Sequence, residues 1–195
     1  NRDAERFYDE GEDFWPKRYA IWGRLIARQP DQIAYSVLDS KALELFMPAL
    51  WPPIQSQTIE GLAEAVGLDP ARLARTVAQY NSACQPGSFD KAVHDGCRTQ
   101  GLSPDKTNWA QTIDQPPYYL FPMRPGITFT YMGVAVDEGA KVQMASGRPA
   151  ANIWAAGEIM AGNVLGQGYL AGIGITIGSV FGRKAGEGAA GYVRN

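Results

Sequence analysis

Glu158 stands directly after Gly157 at the end of Asn152–Ala156, a run whose residue types and bounding turn residues predict a strand, and a glycine-dense stretch follows. Open α/β sheets meet their ligands at the carboxyl ends of buried strands. A carboxylate delivered there accepts hydrogen bonds from ligand hydroxyls, and glycines let the loop behind it approach without side chains in the way. Gly166-Gln167-Gly168 falls short of a GxGxxG pattern and follows a loop rather than a strand, and no Lys lies between Glu158 and Arg183 to cradle a phosphate. Beyond it, Gly174, Gly178, Gly182 and Gly186 recur every four residues, on one face of a helix. Two readings of that row stay open. One is close packing on a sheet; the other adds a ligand at the helix start, where unsatisfied N–H groups and the positive dipole end suit an electron-rich group.

Other chemistries find little support. Cys84 and Cys97 lack CxxC spacing in a polar stretch, so reduced thiols in cytoplasm are expected. His94, the only histidine, reads as a solvated loop residue and excludes a multi-histidine metal site. With 18 basic and 20 acidic residues the net charge of −2 offers no footprint for nucleic acid or an anionic membrane. The uncharged run from Ile159 to Gly182 is long enough to span a bilayer, but its glycines and Asn163, Gln167 and Tyr169 argue against a lipid-facing helix. The start, Asn1-Arg2-Asp3-Ala4, carries no signal pattern and reads as cut from something longer.

The elements that must position these residues follow from periodicity. A loop to Pro16 leads into a helix near Arg18 to Arg28 that buries Ile21, Leu25 and Ile26, and Ile33 to Leu38 reads as a short strand. Ile59, Leu62, Ala63 and Val66 recur at helical spacing between a Thr58 cap and a Gly67 stop. Asp69 and Pro70 open a second helix whose stripe is Leu73, Val77, Tyr80 and Cys84. Gln85 to Pro117 has the composition of an irregular excursion. Tyr118–Pro122, Thr128–Val136 and Asn152–Ala156 then read as strands.

The run Ala155-Ala156-Gly157-Glu158-Ile159-Met160-Ala161-Gly162-Asn163-Val164-Leu165-Gly166-Gln167-Gly168-Tyr169-Leu170-Ala171-Gly172, continued by Val180-Phe181-Gly182-Arg183, resembles the FAD-dependent tricarballylate dehydrogenases. These sit within the wider family of soluble fumarate reductases, succinate dehydrogenase flavoprotein subunits and ketosteroid dehydrogenases. Arg6-Phe7 to Glu10 resembles the family's RFxxE segment, and Arg124 to Val134 again resembles the tricarballylate group. The resemblance implies an α+β chain: residues 1–125 as part of a fumarate reductase-like capping domain, and 126–195 as the C-terminal strands and helix of an FAD-binding α/β domain. It places the dinucleotide fingerprint in a part this sequence lacks, so FAD is expected to bind this stretch weakly or not at all by itself.

Carried over by residue, the resemblance gives Gly157 and Glu158 to the cofactor's sugar-alcohol chain, and the backbone N–H groups of Gly174 and Ile175 to the flavin's pyrimidine edge. Tyr169 and Gly172 align with a substrate-binding Arg and Gly, and Thr128 and Phe129 with two adjacent histidines. The loss of that Arg implies a changed placement of acid groups, for which Arg124 is a candidate charge. Either Arg18 or Tyr19 falls where the family's catalytic proton carrier stands. The implied activity, in the intact protein, is removal of two hydrogens across a C–C bond beside carboxylates, tricarballylate to cis-aconitate. The alternatives are a fumarate reductase-like or ketosteroid-type dehydrogenase, or a fragment inert as an enzyme. The implied partners are a small tricarboxylate, an electron acceptor protein or quinone pathway, and a second copy met through exposed apolar surface, without nucleic acid or a transmembrane segment, in the cytoplasm.

Overall fold

The computed structural model describes every residue except Thr128, Gln167 and Asn195, so the expectation placed on Thr128 lies outside the described residues. The chain forms two compact units, Asn1–Pro125 and Gly126–Asn195.

In the first unit, helix α1 runs Trp15–Ala27, starting at Trp15 because Pro16 suits a first turn that has no N–H partners to lose. It buries Ile26, while Ile21 and Leu25 are partly covered. Strands β1 (Ala34–Leu38), β2 (Ile54–Ser56) and β3 (Tyr118–Met123) make an antiparallel sheet in the order β1-β3-β2. Leu120, fully buried, sits opposite Val37 on one side and Ile54 on the other. Pro122 lies beyond the reach of β2, where β3 has a single partner and a missing N–H breaks no ladder.

Helix α2 (Ile59–Val66) starts where Thr58 Oγ1 accepts from Gly61 N at 3.0 Å and stops at Gly67, which takes the left-handed φ of 67° that glycine tolerates. Helix α3 (Pro70–Ala83) starts where Asp69 accepts from Arg72 N at 3.1 Å, and Cys84 is its C-terminal cap rather than part of its stripe. Leu62 and Ala63 of α2, Leu73 and Val77 of α3, and Leu120 of the sheet form one core with Ala4, Ile59 and Leu68. Full burial of a side chain such as Leu62 contributes roughly 1.5–3 kcal/mol.

The excursion from 85 to 117 lacks helix and strand, and carboxylates stand in for both. Asp39, buried at the end of β1, accepts from Asp114 N at 3.1 Å and Gln115 N at 3.2 Å. Asp9 accepts from Thr107 N at 3.1 Å and Thr107 Oγ1 at 2.8 Å. Asp95 gathers the N–H groups of Cys97, Trp109 and Asp90; burial opposes its charge, but those three donors outweigh it and hold its carboxyl below the usual range. His94 is exposed in a loop, as expected, but it is not without partners. Its ring stacks on Phe14 with centroids 4.5 Å apart, and Nε2 lies 3.2 Å from Asp13 Oδ1, which ties the excursion to the residues before α1.

In the second unit, β4 (Lys141–Gln143) and β5 (Pro149–Trp154) pair antiparallel, and α4 runs Ile173–Arg194. Two expectations are corrected here. The described residues of Thr128–Val136 form no strand, only an isolated bridge from Val136 to Val142 with Ala135 O accepting from Gln143 N at 2.8 Å, and residues 158–163 take the groups before and beside it: Val134 N donates to Ile159 O at 2.8 Å and Val136 N to Asn163 Oδ1 at 3.1 Å. The strand before Gly157 ends at Trp154 and is not buried; Ala150 is its one buried residue, since β4 is its only partner strand among the described residues. Among the described residues no sheet lies against Gly178, Gly182 or Gly186. A methyl group added at Gly178, Gly182 or Gly186 would meet nothing within 4 Å among the described residues.

Residues 158–163, expected as loop, form a 3-10 helix, and its Met160 and Ala161 are fully buried with Ile177 of α4 against Phe129, Val134 and Phe181. No helix among the described residues is long and apolar enough to cross a membrane.

Candidate functional site

Gly157 adopts φ 83° and ψ −152°, a region open essentially to glycine alone, although no described residue lies within 4 Å of where its side chain would begin. The conformation, not space, requires glycine. It turns the chain out of β5 so that Glu158 opens the 3-10 helix with its side chain exposed. Glu158 Oε1 accepts from Thr130 N at 2.8 Å and Thr130 Oγ1 at 3.1 Å, and Oε2 takes no hydrogen bond among the described residues. One carboxylate oxygen is thus anchored and the other is available.

The segment carrying Thr130 is itself fixed. Asn163 Nδ2 donates to Val134 O at 2.9 Å and to Met160 O at 2.8 Å. Gly133 and Gly162 bring the two backbones into contact: a methyl group on either would overlap Ile159 O or Tyr131 O.

At the start of α4, Thr176 N and Thr176 Oγ1 both donate to Gly172 O at 3.0 Å, and Ile173 N donates to Leu170 O at 3.0 Å. The N–H groups of Gly174 and Ile175 take no hydrogen bond among the described residues, and Ile175 is 80% exposed. Two adjacent donors at the positive end of a 22-residue helix are suited in charge and direction to an electron-rich group. Phe129 and Tyr169 stand beside it with ring centroids 5.2 Å apart, edge to face. A methyl at Gly174 would lie 3.2 Å from Phe129 Cε2 and 3.7 Å from the Tyr169 hydroxyl. The second unit therefore brings Phe129, Tyr169, Gly172, Gly174 and Ile175 together, and carries Gly157 and Glu158 on a separate segment bonded to the residue after Phe129.

Arg18, Tyr19 and Arg124 lie in the first unit. Arg18 Nε is 3.1 Å from Glu12 Oε1, an ion pair whose geometry leaves Nε without a hydrogen bond among the described residues. The same Glu12 oxygen accepts from the Tyr8 hydroxyl, and burial together with that carboxylate pushes the Tyr8 phenol up to about 12. Tyr19 packs against Trp15 at 5.5 Å, and Arg124 Nη1 donates to Asp31 O at 3.0 Å. A half-open cavity of about 500 Å³ in this unit is lined by Arg6, Phe7, Glu10 and Tyr80 among others, but not by Arg18, Tyr19 or Arg124. Sequence reasoning missed Thr130 and Asn163, since neither type at those positions signals a clamp; the strand expected over Thr128–Val136 would have spent Thr130 N on a ladder instead. Among the described residues no group of His, Cys, Asp or Glu could hold a metal ion.

A probable fumarate reductase of Shewanella frigidimarina is 32% identical over 198 residues, covering 97% of this chain and 30% of the relative. A urocanate reductase of Eggerthella lenta is 29% identical over 202 residues, with the same two coverages of 97% and 30%. The solved open conformation of a flavocytochrome c3 fumarate reductase matches 100% of the chain and 32% of its own, with a TM-score of 0.75 at 30% identity. The chain thus spans under a third of the length of these proteins. The model of the family described as FAD binding domain (FAD_binding_2) matches residues 1–175, and the chain belongs to this family, that of the fumarate reductase and succinate dehydrogenase flavoproteins, whose cofactor is FAD.

Proposed function

We propose that this chain supplies the flavin-edge contacts and part of the substrate enclosure of an FAD-dependent oxidoreductase that moves two hydrogens across a C–C bond beside a carboxylate. The observation that carries this reading is the pair of N–H groups at Gly174 and Ile175, without a hydrogen bond among the described residues, in a unit that also holds the anchored carboxylate of Glu158. FAD, when bound, supplies the two-electron carrier. Its isoalloxazine and ribityl end fits the residues present: Gly174 and Ile175 donate to the pyrimidine edge, Glu158 Oε2 accepts from the ribityl hydroxyls, and Gly157 keeps the backbone clear. The diphosphate half has no counterpart in this sequence, which contains no strand-GxGxxG-helix unit. In this reading residues 1–125 cap the substrate and 126–195 belong to the FAD-binding domain.

We assign Phe129, Tyr169 and Gly172, with Thr128 and Arg124, to the substrate. Tyr169 offers one hydroxyl where an Arg would offer a bidentate cationic clamp, so the acid groups of the substrate are held elsewhere. That departure, with the resemblance of residues 155–172, favours tricarballylate, oxidised to cis-aconitate, over a simple four-carbon dicarboxylate. Arg18 or Tyr19 exchanges the substrate proton; Arg18 is linked through Glu12 to Tyr8. A fumarate reductase-like activity is the second reading, favoured by the relatives' names. An electron acceptor protein or quinone pathway would complete turnover, and free Cys84 and Cys97 suit a cytoplasmic setting. The open apolar surface, with Met132 89%, Ile175 80% and Val193 82% exposed, favours self-association of the chain alone.

The test is turnover by the full-length protein of tricarballylate with an artificial electron acceptor and of fumarate and urocanate with an artificial donor. Oxidation of tricarballylate is expected; reduction of fumarate alone would move the assignment to the second reading, and no turnover of any would remove both.

A further inference from the structure

We propose that Thr130 is the positioning residue for Glu158 and thereby controls how tightly the ribityl chain is held, an inference that rests on the reading of Glu158 given above. An exposed glutamate has three rotatable bonds and spreads its carboxylate over many positions unless something holds it. Thr130 supplies both holds, its backbone N–H at 2.8 Å and its hydroxyl at 3.1 Å, and both fall on Oε1. With one oxygen fixed by two donors from one residue, the direction of Oε2 is set before any ligand arrives, and ordering is not deducted from binding.

The hold is rigid because Thr130 does not ride on a free loop. Asn163 bonds to Val134 O, Val136 N and Met160 O, and Gly133 and Gly162 put the two backbones in contact on either side. Asn163 maintains the fold of the segment, whereas the Thr130 hydroxyl, exposed at the surface, contributes little to it.

The experiment measures the FAD dissociation constant of the full-length apoprotein by flavin fluorescence for Thr130→Val, Thr130→Ser, Glu158→Gln and the double variant Thr130→Val/Glu158→Gln, with thermal melting of each. Thr130→Val is expected to weaken FAD by about tenfold with an unchanged melting temperature, and Thr130→Ser to restore binding. Added to Glu158→Gln, Thr130→Val is expected to cost less than about twofold, because the carboxylate it steers is gone. Should Thr130→Val fold poorly, Thr130→Ala takes its place with the same expectation. Wild-type affinity in Thr130→Val beside weakened Glu158→Gln would overturn the positioning role alone, as would an equal loss on both backgrounds. Wild-type affinity in Glu158→Gln would instead overturn the reading of Glu158 and the inference with it.

Discussion

Three glycines of α4 share a residue type and a helix but not an environment, so alanine should act differently at each. Gly182 is exposed and its added methyl meets nothing within 4 Å among the described residues, so Gly182→Ala keeps only the backbone term. In an exposed helix interior that gains about 0.8–1 kcal/mol. For a unit of roughly 60–100 residues each kcal/mol shifts the melting temperature by about 4–8 °C, so Gly182→Ala should raise the transition of the second unit by about that much. Gly188 is the reverse case. Its methyl would overlap the Trp154 indole, which packs edge to face on Tyr192 at 6.0 Å and lies under Lys141 Nζ at 5.4 Å, so the ring cannot yield without losing both. Overpacking of this kind costs about 1–3 kcal/mol. Against the same helix gain of about 1 kcal/mol, the net runs from neutral to a loss of about 2 kcal/mol. Gly174→Ala falls between, because Phe129 Cε2 at 3.2 Å needs to move only a few tenths of an ångström. The assay is far-UV circular dichroism melting of the chain and its three variants. A Gly182→Ala variant that melts lower than wild type would show that this face is covered in the chain as it stands, and a Gly188→Ala variant as stable as Gly182→Ala would remove Trp154 from its place.

Glu158→Ala in the full-length protein removes a charged acceptor from the ribityl hydroxyls, a loss of about 1.5–3 kcal/mol, and flavin retained through gel filtration should fall accordingly; full retention would remove Glu158 from the cofactor. Tyr169→Arg should lower kcat/KM for tricarballylate with FAD content unchanged, since a cation replaces the ring that packs on Phe129; intact turnover would take Tyr169 out of the substrate pocket. The N–H of Leu102, with the Thr99 hydroxyl and Gly101 N–H, holds the Asp105 carboxyl below its ordinary value, so its contribution to stability is present above about pH 4 and lost as pH falls through the lowered folded value. The urea midpoint of the first unit should therefore fall on acidification, and less steeply in Asp105→Asn; parallel acid limbs in the two proteins would contradict this.

The helices were legible because their signals are local. Thr58, Gly67, Asp69 and Pro70 each act within a turn of where they stand, and the structure has each in that role. The central strand was legible for a different reason, as Tyr118–Pro122 combines aromatic residues with flanking prolines. What the sequence hid is non-local. Nothing near Thr130 in sequence announces that its N–H will be taken by a carboxylate 28 residues away. His94 reads correctly as an exposed loop residue, but its partners, Asp13 and Phe14, lie some 80 positions earlier and nothing beside it announces them. β2 and β4, at three residues each, are too short for alternation to show. The site residues were reached through resemblance rather than spacing, and spacing alone left the glycine row ambiguous between packing and a ligand. Gly178, Gly182 and Gly186 have open surroundings among the described residues, while the ligand reading keeps its support at Gly174 and Ile175.

The most direct measurement is amide hydrogen exchange at Gly174 and Ile175 in the full-length protein, compared between FAD-loaded and FAD-stripped states. If these two N–H groups donate to the flavin, they exchange fast in the stripped protein and become strongly protected on loading, while Ser179 and Val180 further along α4 change little. Equal exchange at Gly174 and Ile175 in the two states would mean that the flavin edge lies elsewhere, and would contradict the assignment of this helix start to the cofactor.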